Sequence, residues 1–266
     1  MKFLKICIIC VLIALFLISC ETKTNNNDSA IYNLMYQYKF IQKDIPTTYE
    51  EVYELSWADE VFLTKKEDKM VINDNTGVPV HGGNLIKSFT VSDDSKGYGD
   101  IGNIIACSYG EVSGFLYYIS PTDFYEINTN ANSFYMLNND RSIIYCVYSI
   151  WYPDIDFSPG NITRIKKIDD KWQKDESFEI DLNDCIEAFY VEDNTVYLVT
   201  TNGIVRIKDN KIDEVLIEDA FWSGMLYPNS IIKIDDVLYI GMRGGIASYN
   251  LDTGDLLWYE QVVENN

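Results

Sequence analysis

The sequence predicts an all-β chain, and three observations carry the prediction. From residue 31 onward, short runs rich in Tyr, Ile, Val and Phe are punctuated by Asn, Asp and Gly, the composition of strands and tight turns. Few segments place apolar residues at the 3.6-residue spacing of an amphipathic helix. A gapless internal repeat occupies the C-terminal part. Residues 193–207 align on 235–249, pairing Asp193 with Asp235, Tyr197 with Tyr239, Leu198 with Ile240, Gly203 with Gly245 and Ile204 with Ile246. The offset is 42 residues, and four short strands in about 40–45 residues is the spacing of β-propeller blades. The expected architecture over residues 31–266 is therefore a β-propeller of about five four-stranded blades, or six. A two-sheet β-sandwich is the alternative.

The N-terminal segment is of a different kind. Lys2 and Lys5 precede an apolar stretch from Ile6 to Ile18, and the small residue Ser19 stands before Cys20. A charged start, an apolar core and a small-residue cleavage point make a secretory signal peptide. The ending Leu17-Ile18-Ser19-Cys20 also resembles the lipobox of bacterial lipoproteins. That resemblance implies cleavage after residue 19 and acylation of Cys20, palmitate included. The protein would be a membrane-anchored lipoprotein of the cell envelope, exposed outside the cytoplasm. Residues 20–30 continue as Glu-Thr-Lys-Thr-Asn-Asn-Asn-Asp-Ser-Ala after the cysteine, too polar to bury surface, and read as a flexible tether.

Between residues 32 and 53 the pattern is least clear. Thr47 or Thr48, followed by Glu50 and Glu51, is suited to cap a short helix. Residues 61–64 and 69–73 make a hairpin, residues 85–91 a further strand, and residues 115–127 a weaker copy of the repeat at an offset of 80. Residues 161–165 match 203–207 at 42, but the partner strand 143–148 lies about ten residues further off, so that hairpin carries an insertion. The last two units show all four strands: 186–191, 195–200, 203–208 and 211–217, then 230–234, 237–242, 245–250 and 255–261. Asp, Asn and Gly fill the turns because they tolerate the positive φ of tight hairpins. The run Leu251-Asp252-Thr253-Gly254-Asp255-Leu256-Leu257-Trp258 resembles the repeat ending of quinoprotein-type and sensor-type propellers, which implies the same blade architecture from residue 103 on. Lipoprotein propellers of that kind serve as scaffolds, whereas quinone-dependent enzymes are longer and carry dedicated cofactor ligands absent from this sequence.

Charge and composition narrow the function classes. The whole chain carries 21 basic and 41 acidic residues, a net charge of −20, and removal of Lys2 and Lys5 takes it to −22. Such a surface repels phosphate backbones and anionic headgroups, which excludes nucleic acid and leaves membrane attachment to the lipid on Cys20. Beyond Cys20 only Cys107, Cys146 and Cys185 remain, an odd and widely spread set that reads as buried free thiols on strands rather than a disulfide framework. The single histidine, His81, lies in a Gly-rich loop. No phosphate loop, Ser-x-x-Lys pair or nucleophile elbow is present, so no catalytic residue, metal or cofactor is assigned. Asn73-Asp74-Asn75-Thr76-Gly77 and Asp93-Asp94-Ser95-Lys96-Gly97 only approximate a calcium loop and read as hairpin turns.

Two irregular segments combine aromatics with carboxylates. One is the insertion, residues 149–160, with Trp151, Tyr152, Asp154 and Asp156; the other is the connection 218–228, with Asp219, Phe221, Trp222 and Tyr227. In a propeller both open onto the same side of the disc, where loops on a rigid scaffold hold ligands. The expectation is a non-enzymatic binding or scaffold protein. Its ligand-binding residues are Trp151, Tyr152, Asp154, Asp156, Phe221, Trp222 and Tyr227, and its partner is an envelope protein or peptide. A carbohydrate-binding or glycan-cleaving surface protein is the alternative.

Overall fold

The computed structural model describes residues 33–66, 69–73, 86–93, 100–108, 114–121, 123–128, 134–137, 142–149 and 160–262. Cys20, His81, both calcium-like turns beyond Asn73 and Asp93, and the whole of 150–159 lie outside the described residues. Within them the protein is all-β, arranged in five small antiparallel sheets that follow the chain, none of them closed.

The first sheet pairs β2 (Phe62–Lys66) with β3 (Lys69–Asn73). The second takes β4 (Ile86–Asp93), β5 (Asp100–Ser108), β6 (Gly114–Ile119) and β7 (Phe124–Asn128) in order. The third has β8 (Phe134–Leu137), β9 (Ile143–Ser149), β10 (Gly160–Ile168) and β11 (Lys171–Leu182). The fourth has β12 (Ile186–Glu192), β13 (Thr195–Thr200), β14 (Ile204–Lys208) and β15 (Lys211–Ile217). The fifth has β16 (Ser230–Ile234), β17 (Val237–Met242), β18 (Gly245–Asn250) and β19 (Leu256–Gln261), with β1 (Phe40–Lys43) added outside β19.

The 42-residue repeat is a repeat of hydrogen-bond register. Phe189 faces Leu198, which faces Val205; 42 residues on, Ile231 faces Ile240, which faces Ala247. The turns repeat as well, with Asp193 and Asp235 both in the left-handed region at φ 52° and 50°. Asp169, Asp170, Asp209 and Asn210 adopt the same region in the neighbouring hairpins, as short polar side chains at tight turns do. Gly203 and Gly245 are equivalent too. A Cβ at either would collide with the carbonyl oxygen of Ile217 or Tyr259, themselves 42 residues apart.

Strands covered on both faces need a neighbour on each side, and four buried cores supply it. Leu116 and Tyr118 of the second sheet pack with Ile144, Ile165 and Trp172 of the third. Val147, Ile162 and Phe178 of the third pack with Phe189, Leu198 and Val205 of the fourth. Tyr197, Val199 and Ile204 of the fourth pack with Leu238, Ile240 and Trp258 of the fifth. Tyr239, Ile246 and Tyr259 of the fifth pack with Leu63 and Met70 of the first. Leu198 and Ile240 are both fully buried, each one seam along from the other. The first sheet thus lies against the last: Val61 N–H donates to Met242 O at 3.1 Å and Leu63 N–H to Ser230 Oγ at 2.9 Å.

The short helix forms where the sequence places it. α1 (Tyr49–Leu55) has Thr48 as N-cap, with Thr48 Oγ1 accepting from the Glu51 amide and the Glu51 carboxylate accepting from the Thr48 amide. The hydrogen bonds from Thr47, Thr48 and the Thr48 hydroxyl hold the Glu51 carboxyl below its ordinary range. Val52 and Leu55 seat the helix on the core between the fourth and fifth sheets. Strand bounds differ from expectation by a residue or two: Ile204 rather than Gly203 opens β14, and Leu256 rather than Asp255 opens β19. No helix among the described residues is long and apolar enough to cross a membrane.

Candidate functional site

The site is built from turns at one end of the third, fourth and fifth sheets, and hydrogen bonds link them in series. At the end of β9, Ser149 Oγ accepts from the Ile186 amide at 2.7 Å and lies 2.9 Å from Cys185 Sγ. The far end of the insertion, Gly160, packs so closely on the Asp184 carbonyl that a Cβ would not fit. Both ends of the 150–159 insertion are thereby pinned to the connection between β11 and β12.

Asp184 passes the link to the β13–β14 turn. Its carboxylate accepts from the Asn202 amide and from Asn202 Nδ2, both at 3.1 Å, and from the Cys185 amide at 2.9 Å. Burial pushes the Asp184 carboxyl above the usual carboxylate range, outweighing these bonds and one from Thr200, and nearby Glu187 adds to the rise. Glu187 is itself buried at an irregularity of β12, accepting from Thr201 Oγ1 at 3.1 Å. The β13–β14 turn in turn holds the 218–228 connection. Ala220 N–H donates to Asn202 O at 2.8 Å, Ser223 Oγ bonds Asn202 Oδ1, and Trp222 Nε1 donates to Thr200 O at 3.1 Å.

The last links reach the N-terminal segment. Arg243 N–H donates to Leu226 O at 2.8 Å, and the Arg243 guanidinium lies 4.5 Å over the Tyr227 ring. The same guanidinium reaches Glu60 at 3.4 Å and the Ser56 carbonyl at 3.5 Å. Sequence reading missed Asp184, Glu187, Asn202 and Arg243, and the contact between Ser149 and Cys185. The signal for Asn202 and Arg243 was present, since both stand beside the repeat's turn glycines in Thr201-Asn202-Gly203 and Met242-Arg243-Gly244-Gly245.

The residues expected to bind divide into three groups. Trp151, Tyr152, Asp154 and Asp156 fall in the insertion, outside the described residues. Phe221 and Tyr227 are half-buried and Asp219 is exposed, so each keeps surface on this face. Trp222 is a correction: it is fully buried among Val199, Ile204 and Leu226, its indole N–H spent on Thr200. A two-ring side chain beside a Gly-walled turn fills the seam between two sheets, where it removes more apolar surface from water than it could at a rim. Phe221 lies between Trp222 and Trp258, with centroids at 5.2 and 5.3 Å in edge-on geometry, and anchors the loop to that seam.

Cys146 and Cys185 are free and buried, Cys146 on β9 and Cys185 one residue before β12. Burial, with Glu187 and Asp184 beside it, pushes the Cys185 thiol up to about 12, so it stays protonated and unreactive at neutral pH. No group of three or more His, Cys, Asp or Glu side chains among the described residues is arranged to hold a metal ion.

No protein-family model matches the chain. No curated protein matches it either. Solved structures do. The CNH domain of AfRom2 is similar at 9% identity and a TM-score of 0.36, over 76% of this chain and 84% of that one. The extracellular domain of a hybrid two-component system from B. thetaiotaomicron is similar at 15% identity and a TM-score of 0.31, over 67% of this chain and 28% of that one. Likeness at this level assigns neither family nor function.

Proposed function

We propose that the protein is a lipid-anchored β-propeller of the cell envelope that binds a protein or peptide partner through the face described above. Support for the ring comes from the order of the sheets. Each of the second to fourth sheets shares a core with the next in sequence, and the fifth shares one with the first. The lipid anchor rests on Leu17-Ile18-Ser19-Cys20 and the polar tether after it. The observation that carries the binding role is the linked series of turns from Ser149 to Arg243. It ties Ser149, the residue before the insertion, to the turns that hold the Phe221 and Tyr227 loop. Loops held this way lose little entropy on binding.

The test uses the acylated protein in detergent, cross-linked to its envelope and then recovered. Trp151→Ala with Tyr152→Ala is expected to abolish recovery of the wild-type partner while leaving the thermal midpoint within a few degrees. Equal recovery by wild type and the double variant would refute the binding face. Labelling with an alkyne fatty acid is expected to mark wild type and not Cys20→Ala, and equal labelling would refute the anchor.

A further inference from the structure

We infer that the exposed side of α1 and the turn after it form a second docking site, fitted to a basic, extended peptide segment. The site shares Arg243 with the loop face but uses other contact residues and does not rest on the reading given for that face. Tyr49, Tyr53 and Trp57 recur every four residues and form one stripe along the helix and its turn. They are 65%, 45% and 77% exposed, large values for aromatic rings on a chain that buries Trp222 and Trp258 completely. Tyr49 and Tyr53 lie stacked at 5.9 Å and 13°, and Trp57 meets Tyr53 edge-on at 5.9 Å. Apolar surface displayed in a contiguous row marks a contact site.

The stripe is held in place for contact. The Thr48 capping box fixes the start of the helix, Val52 and Leu55 bury its other side, and Ala58 N–H closes the last turn on Leu55 O at 3.0 Å. Arg243 clamps Ser56 and Glu60 from the neighbouring sheet. The rings therefore need little ordering when a partner arrives.

Charge selects the partner. Glu50 and Glu54 are exposed one helical position round from Tyr49 and Tyr53, and neither makes a salt bridge with a described residue. Asp59 adds a further exposed carboxylate just past Trp57. Aromatic faces attract Lys and Arg through cation–π interaction, and flanking carboxylates reinforce the same choice. A neutral glycan would use the carboxylates only as hydrogen-bond acceptors, without the charge pairing that Lys or Arg gains, and an anionic membrane would be repelled by them.

The probe is a fluorescein-labelled nonapeptide with Lys at alternate positions, titrated against the full acylated protein in neutral detergent and read by anisotropy. A control peptide carries Glu in place of Lys. Saturable binding of the Lys peptide below about 1 mM is expected, weakening as salt is raised, with none for the control. Tyr53→Ala with Trp57→Ala is expected to lower the affinity about tenfold. Glu50→Gln with Glu54→Gln, at exposed positions outside the Thr48–Glu51 capping box, is expected to lower it several-fold and flatten the salt dependence. Wild-type affinity in both variants would overturn the proposal. So would absence of saturable Lys-peptide binding, or binding of phosphatidylcholine vesicles or a neutral hexasaccharide in its place. Because the loop-face test reads a different partner and different residues, either site can fail alone.

Discussion

Trp222→Ala separates a packing role from a binding role in the 218–228 connection. Trp222 has no exposed surface, fills the seam between the fourth and fifth sheets and donates its indole N–H to Thr200 O at 3.1 Å. Truncating a buried Trp costs about 3–5 kcal/mol through lost transfer energy and the cavity left behind. The Thr200 carbonyl loses its indole donor as well, which adds about 1 kcal/mol where water does not replace it. A total near 5 kcal/mol is a large share of the stability of a single domain. At roughly 2–4 °C per kcal/mol for a chain of this size, the thermal midpoint should fall by about 10–20 °C. Trp222→Phe keeps most of the volume and should lose about 1–2 kcal/mol, mainly the hydrogen bond. Urea titrations followed by far-ultraviolet circular dichroism, with equal slopes for all three proteins, give the differences. A loss below about 1 kcal/mol in Trp222→Ala would refute the packing argument and return this residue to the binding surface.

Leu198→Ala and Ile240→Ala should each cost roughly 2–5 kcal/mol in the same titration, because the two occupy equivalent, fully buried places in successive seams. Asp175 is buried; its burial would raise the carboxyl, but bonds from Ser177, Lys166 and Arg164 outweigh that and hold it well below the usual range. A depressed folded pKa means the stabilisation is complete above about pH 5 and is lost as the pH falls below the unfolded value near 4. Asp175→Asn should therefore cost roughly 3–5 kcal/mol at pH 7, and the variant should lose less further stability than wild type between pH 5 and pH 2.5. The Tyr239 hydroxyl is buried without a hydrogen-bond partner among the described residues, so Tyr239→Phe should be neutral or raise stability by about 1 kcal/mol; a loss above 1 kcal/mol would show a partner for that hydroxyl.

The fold was legible wherever one residue type had one structural job. Gly203 and Gly245 mark the same tight approach, Asp193 and Asp235 the same left-handed turn, and the strands between them were placed to within a residue. The Thr48–Glu51 capping box was legible for the same reason. Burial direction was less so. In strands covered on both faces, alternation carries no outward signal, and Val237–Met242 is buried at all six positions. Aromatics in an irregular segment are equally ambiguous. Trp222 and Tyr227 stand five residues apart in one loop, yet one fills a seam and the other keeps surface under Arg243. Only the partner strand decides, and that partner is distant in sequence. The polar links Ser149–Cys185 and Asp184–Asn202 were invisible because their spacing depends on how neighbouring sheets meet.

The seating of β1 against β19 imposes an order of events on a chain made from its N-terminus. Phe40 pairs with Gln261 and Lys43 with Trp258, so the first strand has no partner until the last has been synthesised. The first sheet waits as well, since Val61 and Leu63 bond to Met242 and Ser230. Middle sheets can form locally, while both chain ends remain open edges through most of synthesis. Late closure between distant segments slows folding and prolongs exposure of Phe40, Leu63 and Met70, which are buried in the finished protein. A chain that lacks residues 256–261 would therefore present β1 without its partner strand, and that open strand is where a chaperone or a second nascent chain would first bind.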